Sequence, residues 1–213
     1  MARGVKTLHT DREAGWPRHR FGCLGCRATR GLTGSGTIQK IFRMSKLRRV
    51  DDALYVHFIT FSCYHRRRLL DHDQPKRILL GILTDELLKF DARCIGFVIM
   101  PDHVHALIWF PKIGQLSRFM QQWKGRSSKA IKEFLYRSMP EYASKFSKTD
   151  PIWQVRFYSF EIYTTAKIEE KLNYMHLNPV RAGLVETPTE WRWGSARWYI
   201  EGRTVGIPIQ WVD

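Results

Sequence analysis

Long apolar runs are missing from this 213-residue chain. None approaches the roughly 18 residues that a helix needs to cross a bilayer. The first 20 residues also lack the apolar segment of a secretory signal. Cysteine is scarce, with four in the chain and no framework spacing, which excludes a disulfide scaffold and suits a reducing compartment. Cys63 and Cys94 fall in apolar, strand-like runs. Cys23-Leu24-Gly25-Cys26 is a lone C-x-x-C, and a zinc ribbon needs a second pair that the sequence does not supply. Internal repeats are absent too. A soluble cytoplasmic protein without membrane contact is the expectation.

Acidic residues are few: 20 Asp and Glu stand against 35 Lys and Arg, for a net charge of +15. The excess is uneven. Residues 1–43 carry nine basic and two acidic side chains, and residues 44–213 carry 26 and 18. The remaining +8 favours a polyanionic partner but is a weak signal by itself. The first 43 residues hold many Arg, Gly and Thr and no sustained period of two or 3.6. They read as a disordered basic leader, and Met44, which opens the run toward patterned sequence, is the expected true start. One domain over 44–199 and a C-terminal tail over 200–213 complete the expected organisation.

What is present is 44% hydrophobic and 13% aromatic, enough for a globular core. Residues 54–63 are β-branched and aromatic and predict a strand. Asp73 and Pro75 predict a helix cap and first turn, and Ile78, Leu79, Ile82, Leu83 and Leu87 follow at helical spacing. Residues 94–100 and 103–110 predict two strands paired as a hairpin across Pro101-Asp102. A long basic helix over 115–136, a fourth strand over 153–163 and a helix over 165–178 closed by Pro179 follow. The order β-α-β-β-α-β-α contains the ferredoxin-like β-α-β-β-α-β series. The expected fold is therefore α+β: a four-stranded antiparallel sheet, helices on one face, and an additional C-terminal helix.

Two constellations carry chemistry. His103-Val104-His105 lies at the start of a strand, where alternate side chains share a face. Both imidazoles then project together, about 7 Å apart along the strand, as two ligands of one metal ion would; a pair of surface histidines fits the same spacing. On the last helix, Ile168, Leu172 and Met175 form the core stripe. Tyr174 and Asn178, at i and i+4, share a face to one side of it, next to Lys171. A tyrosine packed at a helix border with its hydroxyl wet fits that pattern as well.

The run Met100-Pro101-Asp102-His103-Val104-His105-Ala106-Leu107-Ile108 resembles the signature of the His-hydrophobic-His (HUH) nucleases. Tyr174-Met175-His176-Leu177-Asn178-Pro179-Val180-Arg181-Ala182-Gly183-Leu184-Val185 resembles the tyrosine motif of REP-associated tyrosine transposases. Residues 153–158 and 191–196 are similar to further segments of that family, and residues 119–125 more loosely so. The resemblance spans about residues 50–199. It implies a ferredoxin-like core, with Tyr174 as nucleophile and His103, His105 and Asn178 as ligands of Mg²⁺ or Mn²⁺, Mn²⁺ suiting imidazole better. The implied reaction is cleavage and transfer of single-stranded DNA through a 5′-phosphotyrosine, on hairpins of repetitive extragenic palindromes, by a monomer or homodimer at the nucleoid of a prokaryote. Phenols are weak acids, so the site must help remove the proton, and Lys171 or the metal is a candidate. Arg118, Lys124, Arg126, Lys129 and Lys132 on the basic helix, with Arg66-Arg67-Arg68, are candidates to track phosphates; a solvated helix face is the plain alternative. Trp123, Trp153, Trp191, Trp193 and Trp198 can stack bases, although core packing is the simpler role. Two rivals stand beside this reading: a non-catalytic DNA- or RNA-hairpin-binding protein on the same scaffold, and a metal hydrolase that activates water.

Overall fold

The central strands are apolar almost continuously rather than only at alternate positions, so both of their faces are buried and the sheet must be covered on both sides. The structure, a computed structural model, describes residues 55–212; the Cys23–Cys26 pair, Met44 and the rest of the leader lie outside the described residues. Four strands, β1 (Val56–Ser62), β2 (Arg93–Ile99), β3 (His103–Trp109) and β4 (Tyr158–Ile162), form one antiparallel sheet in the order β2-β3-β1-β4. The hairpin expected across Pro101-Asp102 is there, with Met100 N–H donating to the His103 carbonyl at 2.8 Å.

Helices α1 (Asp73–Phe90) and α2 (Gln115–Ser138) cover one face, and the short α3 (Pro140–Ala143) follows α2. Ile59, Phe61, Phe97, Ile99, Val104, Ala106 and Ile108 point into that layer, against Leu79, Leu83, Phe119 and Trp123. Phe61 sits between Trp123 and Trp153, with ring centroids 4.8 and 4.9 Å away. Trp123 donates its indole N–H to the Leu79 carbonyl at 3.2 Å and Trp153 donates to Ser127 Oγ at 3.0 Å, so both indoles satisfy their polar atom inside the core. Trp193 is buried as well, and Trp191 and Trp198 pack against the same core. The tryptophans thus serve packing.

The second face is covered by α4 (Thr165–His176), so the helices divide between the two faces rather than gathering on one. Ile168, Leu172 and Met175 are buried against Val56, Phe58, Ile95, Val98 and Leu107, as the helical stripe requires. Each such side chain contributes about 1.5–3 kcal/mol when fully buried. Thr164 caps the helix through its hydroxyl, which accepts from the Lys167 N–H at 3.3 Å. Gly96 permits the approach: a Cβ there would overlap Leu172 Cδ2 and crowd Ser195 Oγ at 3.1 Å and Met175 Cε at 3.3 Å.

Several boundaries differ from expectation. Asp73 is the first residue of α1 and not its cap; its carboxylate instead accepts from the Trp193 indole at 3.0 Å. β4 begins at Tyr158, and Trp153 makes only an isolated bridge to Cys63. α4 ends at His176, and Pro179 sits in the first turn of a separate short helix, α5 (Asn178–Arg181), where its missing N–H costs nothing. α4 is also not the last helix, because α5 and α6 (Ala196–Glu201) follow. The stretch expected as a tail packs Val205, Ile207 and Ile209 into the α1–α2 core. The β2 edge is covered by Trp193–Ser195, through Ile99 N–H to the Trp193 carbonyl and Ser195 N–H to the Phe97 carbonyl at 2.8 and 2.9 Å.

Gly96→Val should lower stability by about 1–3 kcal/mol through overpacking, measured as a fall in urea midpoint with an unchanged m-value. An unchanged midpoint would remove Gly96 from its role as the seat of α4.

Candidate catalytic site

The parity of β3 sets the site. With Val104 and Ala106 committed to the α1–α2 core, His103 and His105 must face α4. Their ring centroids are 4.8 Å apart, closer than strand spacing alone suggests, because the rings lean together edge to face. His105 is buried and stacks on Phe58 at 5.4 Å.

Each histidine is oriented through Nδ1. Thr60 Oγ1, across from His105 in the β1–β3 register, lies 2.7 Å from its Nδ1. Asp102 Oδ1 lies 2.6 Å from His103 Nδ1. With Nδ1–H donating to these oxygens, each Nε2 carries a lone pair. His105 Nε2 is buried with no hydrogen-bond partner. A buried nitrogen of that kind calls for an electrophile, and a neutral imidazole pair buttressed through Nδ1 fits a divalent cation. Among the described residues, no group of three or more His, Cys, Asp and Glu side chains forms a metal cage, so an ion held by the two imidazoles would take its other ligands from another residue type, from substrate or from water. Burial chiefly, with the neighbouring His103 and Arg66, pushes the His105 pKa down to about 3, so the ring is neutral across the physiological range.

Tyr174 meets this pair from α4. Its ring centroid is 5.5 Å from that of His105 and 6.3 Å from that of Phe58, and the residue is 39% exposed. The stripe of Leu172 and Met175 holds the backbone down while the next face turns Tyr174 to the solvent-open side of the histidines. Two cations flank the ring: Lys171 Nζ at 5.7 Å and the Arg181 guanidinium at 5.7 Å. Lys171 also pairs with Glu170 at 3.1 Å. Asn178 opens α5 one turn beyond Tyr174 and is half-buried. It does not share α4 with the tyrosine, although the Leu177 joint keeps helical dihedrals and continues the turn.

The basic residues separate. Arg66 reaches the site: its guanidinium is 3.3 Å from Asp102 and donates to Ser62 Oγ at 3.0 Å. It is held there by a left-handed turn at His65 and Arg66, with φ of 53° and 56°. Arg67 instead pairs with Asp150 at 2.6 Å. Arg126 joins α2 to α1 through Glu86 and Asp85, both at 2.7 Å. Lys124 donates to the Gln154 and Val155 carbonyls at 2.8 and 2.9 Å, and Lys132 to the Lys148 carbonyl at 3.1 Å. Arg118 and Lys129 are exposed on α2, which covers the face of the sheet opposite the histidines. Thr60, Phe58 and Arg181 are site residues that sequence patterning did not single out. Arg181 lies two helical turns past Tyr174, a spacing that offered a signal; Thr60 depended on strand register, which offered none.

Behind the site, His176 is buried and its Nε2 lies 2.9 Å from Ser195 Oγ. With Nε2–H donating, the hydroxyl accepts also from Phe97 N–H at 3.0 Å and donates to the Phe97 carbonyl at 3.2 Å. This closed network ties α4 to β2 and to the segment covering its edge.

Comparison with known proteins places these features. Residues 51–178 match the family described as Transposase IS200 like. A candidate REP-associated tyrosine transposase of Haemophilus influenzae is 26% identical over 136 residues, covering 58% of this chain and 73% of that protein. A REP-associated tyrosine transposase of Escherichia coli K12 is 23% identical over 151 residues, covering 70% and 80%. The solved structure of a REP-associated tyrosine transposase bound to a REP hairpin matches with a TM-score of 0.58 and 22% identity, over 80% of this chain and 92% of that one; it has the same fold.

Burial lowers the His176 pKa to about 4. Since the folded state refuses a proton that the unfolded chain takes up near pH 6.5, the stabilisation is complete above that pH and is lost as pH falls toward 4. We expect unfolding free energy to drop on the order of 3 kcal/mol over that window from this residue alone, and His176→Gln to flatten the slope. An unchanged slope in the variant would show that His176 is not kept neutral by the fold.

Proposed function

The chain belongs to the IS200-like transposase family, and on that premise we propose that it is a divalent-metal-dependent endonuclease and strand transferase acting on single-stranded DNA next to hairpins. One observation carries this reading: a tyrosine ring from α4 lies 5.5 Å from a buried histidine whose Nε2 has no partner. A nucleophile and a metal-binding pair then face the same small volume, open to solvent on the side of Tyr174.

His103, His105 and Asn178 would hold Mg²⁺ or Mn²⁺, which when bound polarises the scissile phosphate and offsets its charge. The chain's own groups do the rest. Tyr174 Oη forms a bond to phosphorus while the bond from phosphorus to the 3′-oxygen breaks. The phenol proton leaves to a base or solvent and the 3′-oxygen takes one up, so the products are a 5′-phosphotyrosine and a free 3′-OH. Lys171 and Arg181, each 5.7 Å from the ring centroid, favour the phenolate as it forms and attract the phosphate. Arg66, held by Asp102 at the rim, adds charge on the incoming backbone. Because the covalent link conserves the phosphodiester, attack by another 3′-OH reverses the step and joins strands without ATP. An unpaired strand fits this geometry, since both the phenol and the metal pair must reach the backbone. Hairpin DNA is the proposed partner, in line with the REP hairpin bound by the structural relative.

Incubation with labelled hairpin oligonucleotides carrying single-stranded flanks and Mn²⁺ should give a covalent protein–DNA band on denaturing gels, absent from Tyr174→Phe. Cleavage that persists in Tyr174→Phe without an adduct would replace this reading with a water-activating hydrolase; binding with no cleavage at all would replace it with a hairpin-binding protein. Thr60→Val removes the oxygen that orients His105. It should weaken Mn²⁺ binding about 10- to 100-fold by calorimetry while the far-UV spectrum stays unchanged; unaltered affinity would show that Thr60 does not orient a ligand.

A further inference from the structure

The register of the sheet extends the site sideways. His105 on β3 stands opposite Thr60 on β1, and Thr60 stands opposite Tyr158 on β4. The next row holds Leu107, Phe58 and Phe160. All these side chains share the face that carries Tyr174. Aromatic rings therefore run from the nucleophile to the outermost strand: Tyr174 to Phe58 at 6.3 Å, Phe58 to Phe160 at 5.4 Å and Phe160 to Tyr158 at 5.9 Å. Exposure rises along the row, from buried Phe58 through half-buried Phe160 to Tyr158 at 46%. Among the described residues no strand pairs with the outer side of β4, whereas the β2 edge is covered. Lys171 Nζ lies 5.5 Å from the Phe160 ring, 5.8 Å from Phe58 and 5.7 Å from Tyr174, so positive charge follows the same path.

Tyr158, nearly half exposed and backed by Phe160 on the sheet row of His105, leaves much of its surface in water and so forgoes much of its burial. We propose that Tyr158, supported by Phe160, is a stacking platform for one unpaired base adjacent to the scissile phosphate, with Lys171 neutralising the backbone between platform and nucleophile. The proposal rests on the reading of Tyr174 as nucleophile only for the location of the scissile phosphate. An unpaired base offers a flat π-face whatever its identity, so stacking here is tolerant of sequence. It also draws the strand across the sheet, as aromatic residues do on other nucleic-acid-binding sheets. None of the residues that orient the histidines is used for it.

Binding measured without cleavage separates this from the catalytic reading. In a Tyr174→Phe background, in EDTA, a hairpin with a single-stranded flank should lose about 10-fold in affinity on Tyr158→Ala, and Tyr158→Trp should retain it. A blunt hairpin, or one whose flank is abasic, should bind the parent and the Tyr158→Ala variant equally. With 2-aminopurine at successive flank positions, quenching should be confined to one position and vanish in Tyr158→Ala. Equal losses on flanked and abasic DNA, or no loss on either, would overturn the platform. Either result leaves the adduct experiment unaffected, and failure of adduct formation would leave the binding difference standing.

Discussion

The close seating of α4 on the second face of the sheet is the constraint on which the rest depends. Leu172 occupies the space that a side chain at position 96 would need. Ile168 and Met175 extend the contact along the strands, and the His176–Ser195 hydrogen bond fixes its far side. Only with the helix at that height does the ring of Tyr174 reach the imidazole of His105. A helix lifted by one methyl group would retain its residues and lose their meeting point, since tightly packed layers shift as units.

Division of labour between the faces follows from the same packing. The α1–α2 side takes the bulk of the apolar mass, including three buried indoles, and its ion pairs and capping lysines hold helices and loops together. The α4 side has the smaller core, and its rim stays open where Tyr174 and Tyr158 are exposed. Buried polar groups on this side are each matched, through Thr60, Asp102 or Ser195, except for His105 Nε2. An unpaired buried nitrogen beside a second imidazole fits a position kept for a ligand. On the proposed reading, preorganisation of this kind would let the chain meet a metal and a phosphate without rearranging the imidazoles.

Much of this was legible in the amino acids. Period-two and period-3.6 patterns located the four strands and the three long helices, and the stripe of Ile168, Leu172 and Met175 was read as buried. The pairing of His103 with His105 on one face followed from strand geometry, and the position of Tyr174 beside Lys171 followed from helix geometry. Boundaries were less legible where short elements compete. Pro179 signals a stop in the sequence, yet proline fits the first turn of a new helix. The stretch after residue 199 carries no sustained period and resembles a tail, but Val205, Ile207 and Ile209 pack into the core. The basic helix face suits a surface for phosphates or a solvated face equally on its pattern, and in the structure Arg126, Lys124 and Lys132 bind neighbouring acids and carbonyls.

Local sequence determined which side chains share a face, because that depends only on the repeat of a strand or helix. It therefore determined the histidine pair, the tyrosine's side of its helix and the family resemblance that the match over residues 51–178 bears out. Tertiary structure alone decided that the two faces meet. Strand register brought Thr60 to His105 and Tyr158 into the same row, and the absence of a side chain at Gly96 brought α4 within reach. Those contacts join residues 45 to 98 positions apart, and no local period encodes a distance of that kind.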